Sequence, residues 1–412
     1  MKSKVSPFAA LKITHFRNYL LGSFLSEIGN QMQVVAVAWQ VYELTRNPAS
    51  LALIGLANFL PIVLFSLIGG LMADKVDRKK LLIISQFSQA ILAVALFLLS
   101  LSHLTSPWLI YVILFLVATA QSFSIPARQS VLPNLVPKAL FINAVSLGSL
   151  QWQAATMIGP AIAGFLIGGI GISSVYLINA LSFLFFIAAI LSVRVSLQKH
   201  EREEVQFSLS AIWEGIKFVI STPILLSTMI LDFVATFFGE ATILMPIFAK
   251  DILHVGAQGL GFLYSAPAIG GVLAGLLIAT LHHRIKRQGW VIIGSVILYG
   301  VATIAFGLSK TMPLSLIFLV FVGFGDMIST IIRNTIRQTL TPDHLRGRMA
   351  SIMRMFVQGG PQLGEIEAGF LTKFIGGPQT VVIGGLGVIV ITCLLNLKNK
   401  SLRQYQGKEV TV

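Results

Sequence analysis

The sequence predicts an all-α membrane protein, with twelve transmembrane helices arranged as two parallel six-helix repeats. Three observations support this fold class: the scarcity of charge, the number of long apolar segments, and an internal repeat. Apolar residues make up 55% of the 412 residues, and only 11% are Asp, Glu, Lys or Arg. Soluble domains carry about 25% charged residues. With a mean hydropathy of +0.83, this composition excludes a chain of soluble domains.

Twelve segments of the chain are long and apolar enough to cross a bilayer as helices. A helix needs about 20 apolar residues to span the hydrocarbon, because it rises about 1.5 Å per residue. The predicted spans are residues 19–41, 51–73, 81–102, 107–125, 144–169, 173–193, 224–249, 257–281, 289–308, 313–332, 349–372 and 378–397.

The positive charges orient these spans. Of 30 lysine and arginine residues, all but Arg46, Lys250, Lys310 and Lys373 fall on one side: the N-terminal stretch, the even-to-odd connections and the C-terminal tail. Loops rich in Lys and Arg remain in the cytoplasm. We therefore expect both termini to be cytoplasmic. The same bias explains the net charge of +14 without a nucleic-acid partner.

The longest polar stretch, residues 194–204, divides the chain into six spans plus six. Residues 207–220 follow it with apolar side chains at helical spacing, which predicts a helix lying on the membrane surface. The predicted organisation is an N-terminal bundle (1–194), a cytoplasmic linker with the surface helix (195–222) and a C-terminal bundle (223–412).

The two halves repeat each other at an offset of 205 residues. The matching positions are Glu27 with Asp232, Gly70 with Gly275, Arg128 with Arg333, Pro137 with Pro342, and residues 164–166 with residues 369–371. Two of these matches involve ionisable groups in or beside the membrane, which chance does not readily produce. Parallel halves that enclose a site near the midplane are a transporter architecture.

Several motifs resemble those of the major facilitator superfamily, within it the macrolide-efflux and enterobactin-exporter branch. Residues 70–80 resemble the superfamily's loop signature between spans two and three, with Asp77 where Gly is usual. The branch-like segments are residues 39–45, 126–137 and 342–348. The resemblance covers essentially the whole chain and implies a secondary transporter.

The resemblance also implies a cytoplasmic gate, in which contacts at the cytoplasmic ends of the helices close that side of the transporter. The residues that match the gate are Gly70, Asp74, Arg78, Arg346 and Arg348. The alternative is that these cations only anchor the loops in the cytoplasm. Gly159, Pro160 and Gly164 in span five resemble part of an antiporter signature. A kinked, closely packed helix is the alternative there.

Acidic residues inside the membrane are the candidates for chemistry, because ionised side chains there cost at least a few kcal/mol. They are Glu27, Asp232, Glu240, Asp326, Glu365 and Glu367. Glu27 lies about 12 Å into span one, at 1.5 Å per residue, and Asp232 matches it in span seven. Relatives in this branch carry an acid nearer the position of Asn30. Glu27 lies one turn earlier on the same helix face, and we expect it to take the place of that acid. A carboxyl group out of water suits reversible protonation; a structural ion pair is the alternative.

The remaining embedded candidates lie in spans ten and eleven. Glu365 and Glu367 are two residues apart, so at most one of them faces a cavity. Arg354 is the cation best placed to be embedded, where it either neutralises Asp326 or meets an anionic substrate. Span four offers Gln121, and its first cation, Arg128, is expected at the cytoplasmic edge.

Other functional classes find little support. Residues 323–326 match the Gly-x-Gly-Asp pattern of intramembrane aspartyl proteases, which need a second Asp. Asp232 is available, but it follows Leu231 rather than the tyrosine of those enzymes, and the repeat already explains its position. There is no phosphate-binding loop for ATP, and the single Cys393 excludes an intrachain disulfide. We therefore expect no enzyme activity, no metal and no cofactor.

The sequence thus predicts a multi-pass transporter of a bacterial cytoplasmic membrane, acting as a monomer. It exports a small amphipathic compound, of drug, macrolide or siderophore type, in exchange for protons. The excess of embedded acids favours a neutral or cationic compound over a polyanionic siderophore. The alternative is an uncoupled facilitator or a lipid-moving transporter of the same fold.

Topology can be tested with a membrane-impermeant thiol reagent on single-cysteine variants that lack Cys393. Cysteines placed at Arg46 or Lys310 should react in intact cells, because both sites are expected outside. Cysteines at Arg78 or Lys286 should react only after the membrane is opened. Reaction in the opposite order would invert the predicted orientation.

Overall fold

The structure is a computed structural model that describes residues 6, 8–193, 209–281, 285, 287–342 and 345–406. Within these ranges only the backbone is described for residues 67, 70, 71, 73–75, 130, 209–212, 215, 346–348 and 350–358.

Every regular element in the described ranges is helical. The longer helices are α1 (Thr14–Thr45), α2 (Pro48–Lys75), α3 (Arg78–Leu101), α4 (Pro107–Leu135), α5 (Phe141–Gly169), α6 (Ile172–Ser192), α7 (Leu209–Ser221), α8 (Pro223–Phe238), α10 (Gly256–Leu281), α11 (Gln288–Leu308), α12 (Met312–Leu340), α13 (Arg346–Ile375) and α14 (Gly377–Lys398). The short elements are the single turn α9 (Met245–Ile247), the C-terminal α15 (Lys400–Gln404), 3₁₀ turns at Ala9–Lys12, Lys138–Leu140 and Thr242–Leu244, and a π turn at Phe248–Ile252.

The predicted all-helical membrane fold is confirmed. Each of the twelve predicted segments overlaps a helix, and in the described part of the chain ten segments are long and apolar enough to cross a membrane. The two outside that set, α1 and α13, carry Glu27 and Glu365 among other polar residues, so the count of twelve stays a prediction. The segment predicted as a surface helix contains α7, whose Trp213 is exposed; its position at the membrane surface stays a prediction.

The chain forms two compact units. The first comprises the described residues of Met1–Arg46, Leu56–Glu203 and Gly256–Ser265, and the second those of Asn47–Gly55, Glu204–Val255 and Ala266–Val412. In the first unit α1 packs against α5 and α6, and α3 packs against α4 and α6. In the second unit α8 packs against α13 and α14, and α11 against α12 and α14. These four pairs are equivalent under the repeat.

Polar side chains join the helices of the first unit. The Tyr176 hydroxyl donates to Gln40 Oε1 at 2.6 Å, and Gln40 Nε2 donates to Ser100 and Thr105 at 3.3 Å each. Buried polar groups need such partners, because an unmade hydrogen bond costs about 1–3 kcal/mol. Gln40, which belongs to the branch-like segment 39–45, therefore links α1 to α3 and α6.

Two helices continue past their predicted ends. Spans four and ten were expected to stop at residues 125 and 332, before Pro126 and Arg333, but α4 ends at Leu135 and α12 at Leu340. Segment 126–137 is therefore mostly helix rather than loop. Proline is tolerated in a membrane helix where neighbours satisfy the freed backbone groups. An arginine is tolerated where an acid neutralises it, and this occurs on both helices.

Span seven, by contrast, is interrupted. The prediction of a continuous helix over residues 224–249 is wrong, because α8 ends at Phe238 and helical turns resume only at Thr242. The Glu240 carboxylate accepts the Thr242 backbone N–H at 2.9 Å, and the Tyr299 hydroxyl donates to the Gly239 carbonyl at 2.9 Å. Side chains thus satisfy the groups that the break frees.

Close packing beside this break can be tested with a glycine substitution. A Cβ at Gly384 would overlap the Phe238 carbonyl oxygen, whereas a Cβ at Gly294 would have no heavy atom within 4 Å. Overpacking costs about 1–3 kcal/mol. We expect Gly384→Ala to lower the Tm of the detergent-solubilised protein by several degrees.

The matched control is Gly294→Ala, which should leave the Tm unchanged or raise it, since Ala favours the helix by up to about 1 kcal/mol. Equal Tm values for the two variants would contradict the packing described for α8 and α14.

Candidate functional site: two repeat-related ion pairs

The first candidate site is an ion pair between α1 and α4. Arg128 Nη1 lies 3.8 Å from Glu27 Oε2, and the two side chains are 20% and 18% exposed. The Gln31 side chain donates to the same carboxylate at 3.2 Å. On its other side, the Arg128 guanidinium lies 4.6 Å from the centroid of the buried Phe186 ring. A cation over an aromatic face is held by the ring quadrupole.

The second candidate site is the equivalent pair between α8 and α12. Arg333 Nη2 lies 2.6 Å from Asp232 Oδ1, and the two side chains are only 6% and 10% exposed. The pair is therefore shorter and more deeply buried than the first. The same Nη2 donates to the Thr330 hydroxyl at 2.9 Å.

These pairs are repeat-related: 27 + 205 = 232 and 128 + 205 = 333. Arg128, expected at the cytoplasmic edge of span four, is a helical residue of α4 paired with Glu27, and its depth in the membrane stays a prediction. Arg128 and Arg333 both lie within long helices, α4 and α12. Neutralisation by Glu27 and Asp232 explains how two arginines are accommodated there.

Further acids surround the second pair. Asp326 of α12 lies within electrostatic range of Arg333 and Asp232. Glu240 lies within electrostatic range of Asp326. Arg333 is thus a cation near Asp326; the side chain of Arg354, which was expected either to neutralise Asp326 or to meet an anionic substrate, lies outside the described residues.

The other predicted acids lie on α13. Glu365 sits within electrostatic range of Glu240, and its side chain packs 3.0 Å from the position of a Cβ at Gly55. Glu367, two residues on, is half-buried. On α1, Asn30 is also half-buried, one turn beyond Glu27. The described part of the chain contains no group of three or more His, Cys, Asp or Glu side chains suited to a metal ion.

The glycines of span five are contact points. A Cβ at Gly159 would lie 2.6 Å from Gln31 Cβ, beside the Glu27 pair, and one at Gly164 would lie 2.7 Å from the Ala257 carbonyl oxygen. Pro160 is inside the helix and buried. These residues thus let α5 approach its neighbours closely, as small residues do in membranes. Their part in antiport stays a prediction.

The predicted gate is described only in part. The side chains of Asp74, Arg346 and Arg348, and the surroundings of Gly70, lie outside the described residues. Arg78 is the first residue of α3, and Asp77 is its N-cap, accepting the backbone N–H groups of Lys79 and Lys80. An acid at this position therefore neutralises the positive end of α3.

Comparison with known proteins agrees with this architecture. Residues 5–410 match the family of transmembrane secretion effectors. The chain belongs to this family, a branch of the major facilitator superfamily. The predicted family is thus confirmed.

Two relatives of known activity illustrate the family. The multidrug efflux pump Tap of Mycolicibacterium fortuitum is 27% identical over 381 residues, covering 90% of this chain and 92% of Tap. The enterobactin exporter EntS of Citrobacter koseri is 24% identical over 395 residues, covering 95% and 93%. This member of the transmembrane secretion effector family is therefore a multi-pass membrane transporter of the efflux type.

Solved structures show the same fold. A point mutant of the nucleoside transporter NupG superposes with a TM-score of 0.77 at 12% identity, covering 94% of this chain and 100% of NupG. A bacterial homologue of the iron transporter ferroportin gives 0.69 at 15% identity, covering 95% and 99%. At these identities the likeness concerns the fold alone.

Sequence reasoning missed Thr330 and Tyr299 in this secretion-effector chain. A usable signal was present for the first: Asp326, Thr330, Arg333 and Arg337 are spaced by four, three and four residues, which places them on one face of α12. Tyr299 had none, because a single aromatic residue in an apolar span is ordinarily a packing residue.

The two pairs should differ in their contribution to stability. Asp232→Asn leaves Arg333 charged and buried, which costs about 3–5 kcal/mol when a buried pair is broken. Glu27→Gln should cost less, because its pair is longer and more exposed. The measurement is thermal unfolding of each purified variant. The charge exchange Asp232→Arg with Arg333→Asp should recover part of the loss; equal losses for the two single variants would contradict the difference in burial.

Proposed function

We propose that this protein is a proton-coupled exporter of a small amphipathic compound that works by alternating access. The observation that carries the proposal is the recurrence of one acid–arginine pair at the same place in both halves of an efflux-type chain. The relatives Tap and EntS, named for multidrug efflux and enterobactin export, support the direction of transport.

Each pair offers a way to convert proton binding into movement. An ion pair out of water is stable while both members are charged, and losing one charge leaves the other at a high desolvation cost. Protonation of Glu27 removes the attraction between α1 and α4. Protonation of Asp232 does the same for α8 and α12. Proton binding therefore changes which packing of these helices is favoured.

The direction of the proton gradient then sets the cycle. A carboxyl group open to the more acidic exterior gains a proton, and one open to the cytoplasm loses it, as exchange for an outgoing compound requires. In this cycle Glu27 and Asp232 carry the coupling proton, with Asn30, Glu240, Asp326, Glu365 and Arg354 lining the proton or substrate path. Gly159, Pro160 and Gly164 allow the close approach of α5.

The cytoplasmic side closes through the loop signature. In this proposal Asp74 and Arg78 form the latch, Gly70 permits the close approach, and Arg346 with Arg348 provides the counterpart at α13. The protein acts as a monomer in a bacterial cytoplasmic membrane, with both termini in the cytoplasm.

The acid content favours a neutral or cationic substrate. Arg128 and Arg333 neutralise Glu27 and Asp232, and the other embedded acids remain in excess of the described embedded cations. A drug or macrolide fits this balance better than a polyanionic siderophore. Everted membrane vesicles supplied with ethidium, erythromycin or enterobactin discriminate between these classes. Uptake without proton movement would instead indicate an uncoupled facilitator or a lipid-moving transporter.

Glu27→Gln tests the coupling directly, since it keeps the size of the side chain and removes its titration. We expect the variant to bind the probe and to catalyse downhill exchange, but to lose concentrative export. One proton exchanged across one pH unit supports about a tenfold gradient, so at least that factor should disappear. Asp232→Asn should lose as much or less.

Glu43→Gln is the matched control for Glu27→Gln, because it makes the same change near the end of the same helix, at a residue whose carboxylate lies 4.0 Å from Arg46 Nη2. It should export at the wild-type level. Full gradients in both single variants and in the double variant would assign Glu27 and Asp232 a structural role and leave Glu240, Asp326 or Glu365 as the proton carrier.

A further inference from the structure

The carboxylate of Glu27 meets two different side chains, one at each of its oxygens. The Gln31 amide donates to Glu27 Oε1 at 3.2 Å, and Arg128 Nη1 lies 3.8 Å from Glu27 Oε2. The second distance is too long for a hydrogen bond, since N–H···O bonds measure about 2.7–3.2 Å. The direct hydrogen bond to Glu27 therefore comes from Gln31, whereas Arg128 acts on the acid through its charge.

Arg128 has a support of its own. Its guanidinium carbon lies 4.6 Å from the centroid of the Phe186 ring, and Arg128 Nε is buried with no hydrogen-bond partner among the described residues. The ring on α6 thus holds the cation, while the amide on α1 holds the acid. The separation of the two charges is set by two neighbours outside the pair rather than by a direct contact within it.

The amide lies where α5 packs against α1. A Cβ at Gly159 of α5 would lie 2.6 Å from Gln31 Cβ and 2.9 Å from the Ile28 carbonyl oxygen. A glycine lets the two helices approach this closely, as small residues do in membranes. Because the contact is made at the Cβ of Gln31, it limits the rotamers open to that side chain. The approach of α5 therefore restrains the residue that bonds to Glu27.

The repeat keeps this close approach but not the amide. Adding 205 to 31 and to 159 leads to Thr236 and Gly364, and a Cβ at Gly364 would lie 2.7 Å from the Thr236 carbonyl oxygen. The Thr236 hydroxyl donates to the backbone carbonyls of Asp232 and Phe233. The Asp232 carboxylate instead meets Arg333 directly, at 2.6 Å. Of the two pairs, only the first has an amide on its acid in the described structure.

Few other titratable or charged groups surround Glu27. The elements packed closely against α1 are α4, α5, α6 and the 3₁₀ turn Ala9–Lys12, and α5 carries no such group. The groups of the other three elements and of α1 itself are Lys12, His15, Arg17, Tyr19, Tyr42, Glu43, Tyr111, Arg128 and Tyr176. Within the described ranges, Arg128 is the one that forms an ion pair with Glu27. A change at Gln31 therefore acts on this carboxyl group without removing a charge.

We propose that Gln31 is a positioning residue that keeps Glu27 in place through both of its protonation states. An amide carries both a donor and an acceptor. Its NH₂ group donates to the ionised carboxylate. When Glu27 binds a proton from water, the amide turns over and its oxygen accepts from the new O–H. The proton adds to one carboxylate oxygen, and no other bond forms or breaks.

The inference rests on the proposed function, because it matters for transport only where Glu27 carries the coupling proton. A protonated acid is no longer attracted to Arg128 by charge, so it needs another contact to stay beside the arginine. If it moved away, Arg128 would be left without its counter-ion on the next deprotonation, which is costly out of water. Gln31 supplies that contact, and Gly159 brings α5 against it.

Infrared difference spectroscopy of the full-length protein in liposomes detects this contact without a substrate. The signal is the C=O stretch of protonated carboxyl groups, recorded between acidic and alkaline pH. Glu27→Gln should remove one component and so assign it. Gln31→Met should move that component to higher wavenumber, because the stretch rises when a hydrogen bond to the carboxyl group is lost. Met is unbranched like Gln and fills the same space.

Two further variants decide between a positioned contact and a general effect. Gln31→Asn keeps an amide on a side chain one methylene shorter, so the site stays polar while the contact is broken; it should shift the band as Gln31→Met does. Gln151→Met is the matched control. Gln151 of α5 donates to Ser23 Oγ at 3.1 Å, one turn before Glu27, so this change removes an amide contact at the α1–α5 interface without touching the acid.

Gln151→Met should leave the band at the wild-type wavenumber. A wild-type band in Gln31→Met or in Gln31→Asn, or the same shift in Gln151→Met, overturns the proposal. Subtracting the Gln31→Met spectrum from the wild-type spectrum shows the shifted component even where Glu27→Gln fails to fold.

Ethidium export by everted vesicles separates this inference from the proposed function. Gln31→Met should lower the maximal rate of proton-driven export about tenfold, the factor that corresponds to one hydrogen bond to a charged group, with an unchanged KM for ethidium. Wild-type export that needs no pH gradient would refute proton antiport and, with the band shift intact, leave Gln31 as the residue that positions Glu27. Proton-driven export at the wild-type maximal rate in Gln31→Met would refute the positioning role and leave the proposed function standing.

Discussion

The cost of keeping an ionised side chain away from water is the constraint on which the interior of this protein depends. Arg128 and Arg333 lie well inside α4 and α12, and each is accepted there because an acid from the first helix of the same half meets it. The pairing explains why α4 and α12 continue as helices through residues that ordinarily end a span. It also links α1 to α4 and α8 to α12, in addition to the packing of α1 on α5 and α6 and of α8 on α13 and α14.

Much of the fold was predictable because it follows from hydropathy and charge, which the sequence states directly. The twelve apolar segments, the helical pattern over residues 207–220 and the 205-residue repeat each depend on patterns that extend over many residues. The ends of α4 and α12 were not predictable in this way. The local sequence predicts a helix end at Pro126 and a loop at Arg333. The acids that neutralise Arg128 and Arg333 lie about a hundred positions earlier in the chain, so a local pattern does not include them.

The candidate site shows the same division. The repeat brought out Glu27, Asp232, Arg128 and Arg333 as equivalent positions, yet only the structure joins them into pairs. The interruption at Gly239 was missed because its partner, Tyr299, lies on another helix, and Thr330 was missed because its partner Arg333 is in turn held by Asp232 of α8. An embedded acid is conspicuous in a sequence, since it is rare there. A threonine or a glycine in a membrane helix is common, and only its neighbours reveal what it does.

The interruption after Phe238 has a mechanical consequence. In the first half, the helix that carries Glu27 is α1, a continuous helix of 32 residues. In the second half, the equivalent segment is interrupted. Its helix α8 has 16 residues, and the chain beyond the break continues in short helical turns, with hydrogen bonds from Glu240 and Tyr299 at the break. A continuous helix moves as one body when a force acts on one end, whereas an interrupted helix bends at the break, so its two parts move separately. The two repeats therefore place equivalent acids on helices of unequal stiffness, since α1 is continuous and the equivalent segment is interrupted after α8.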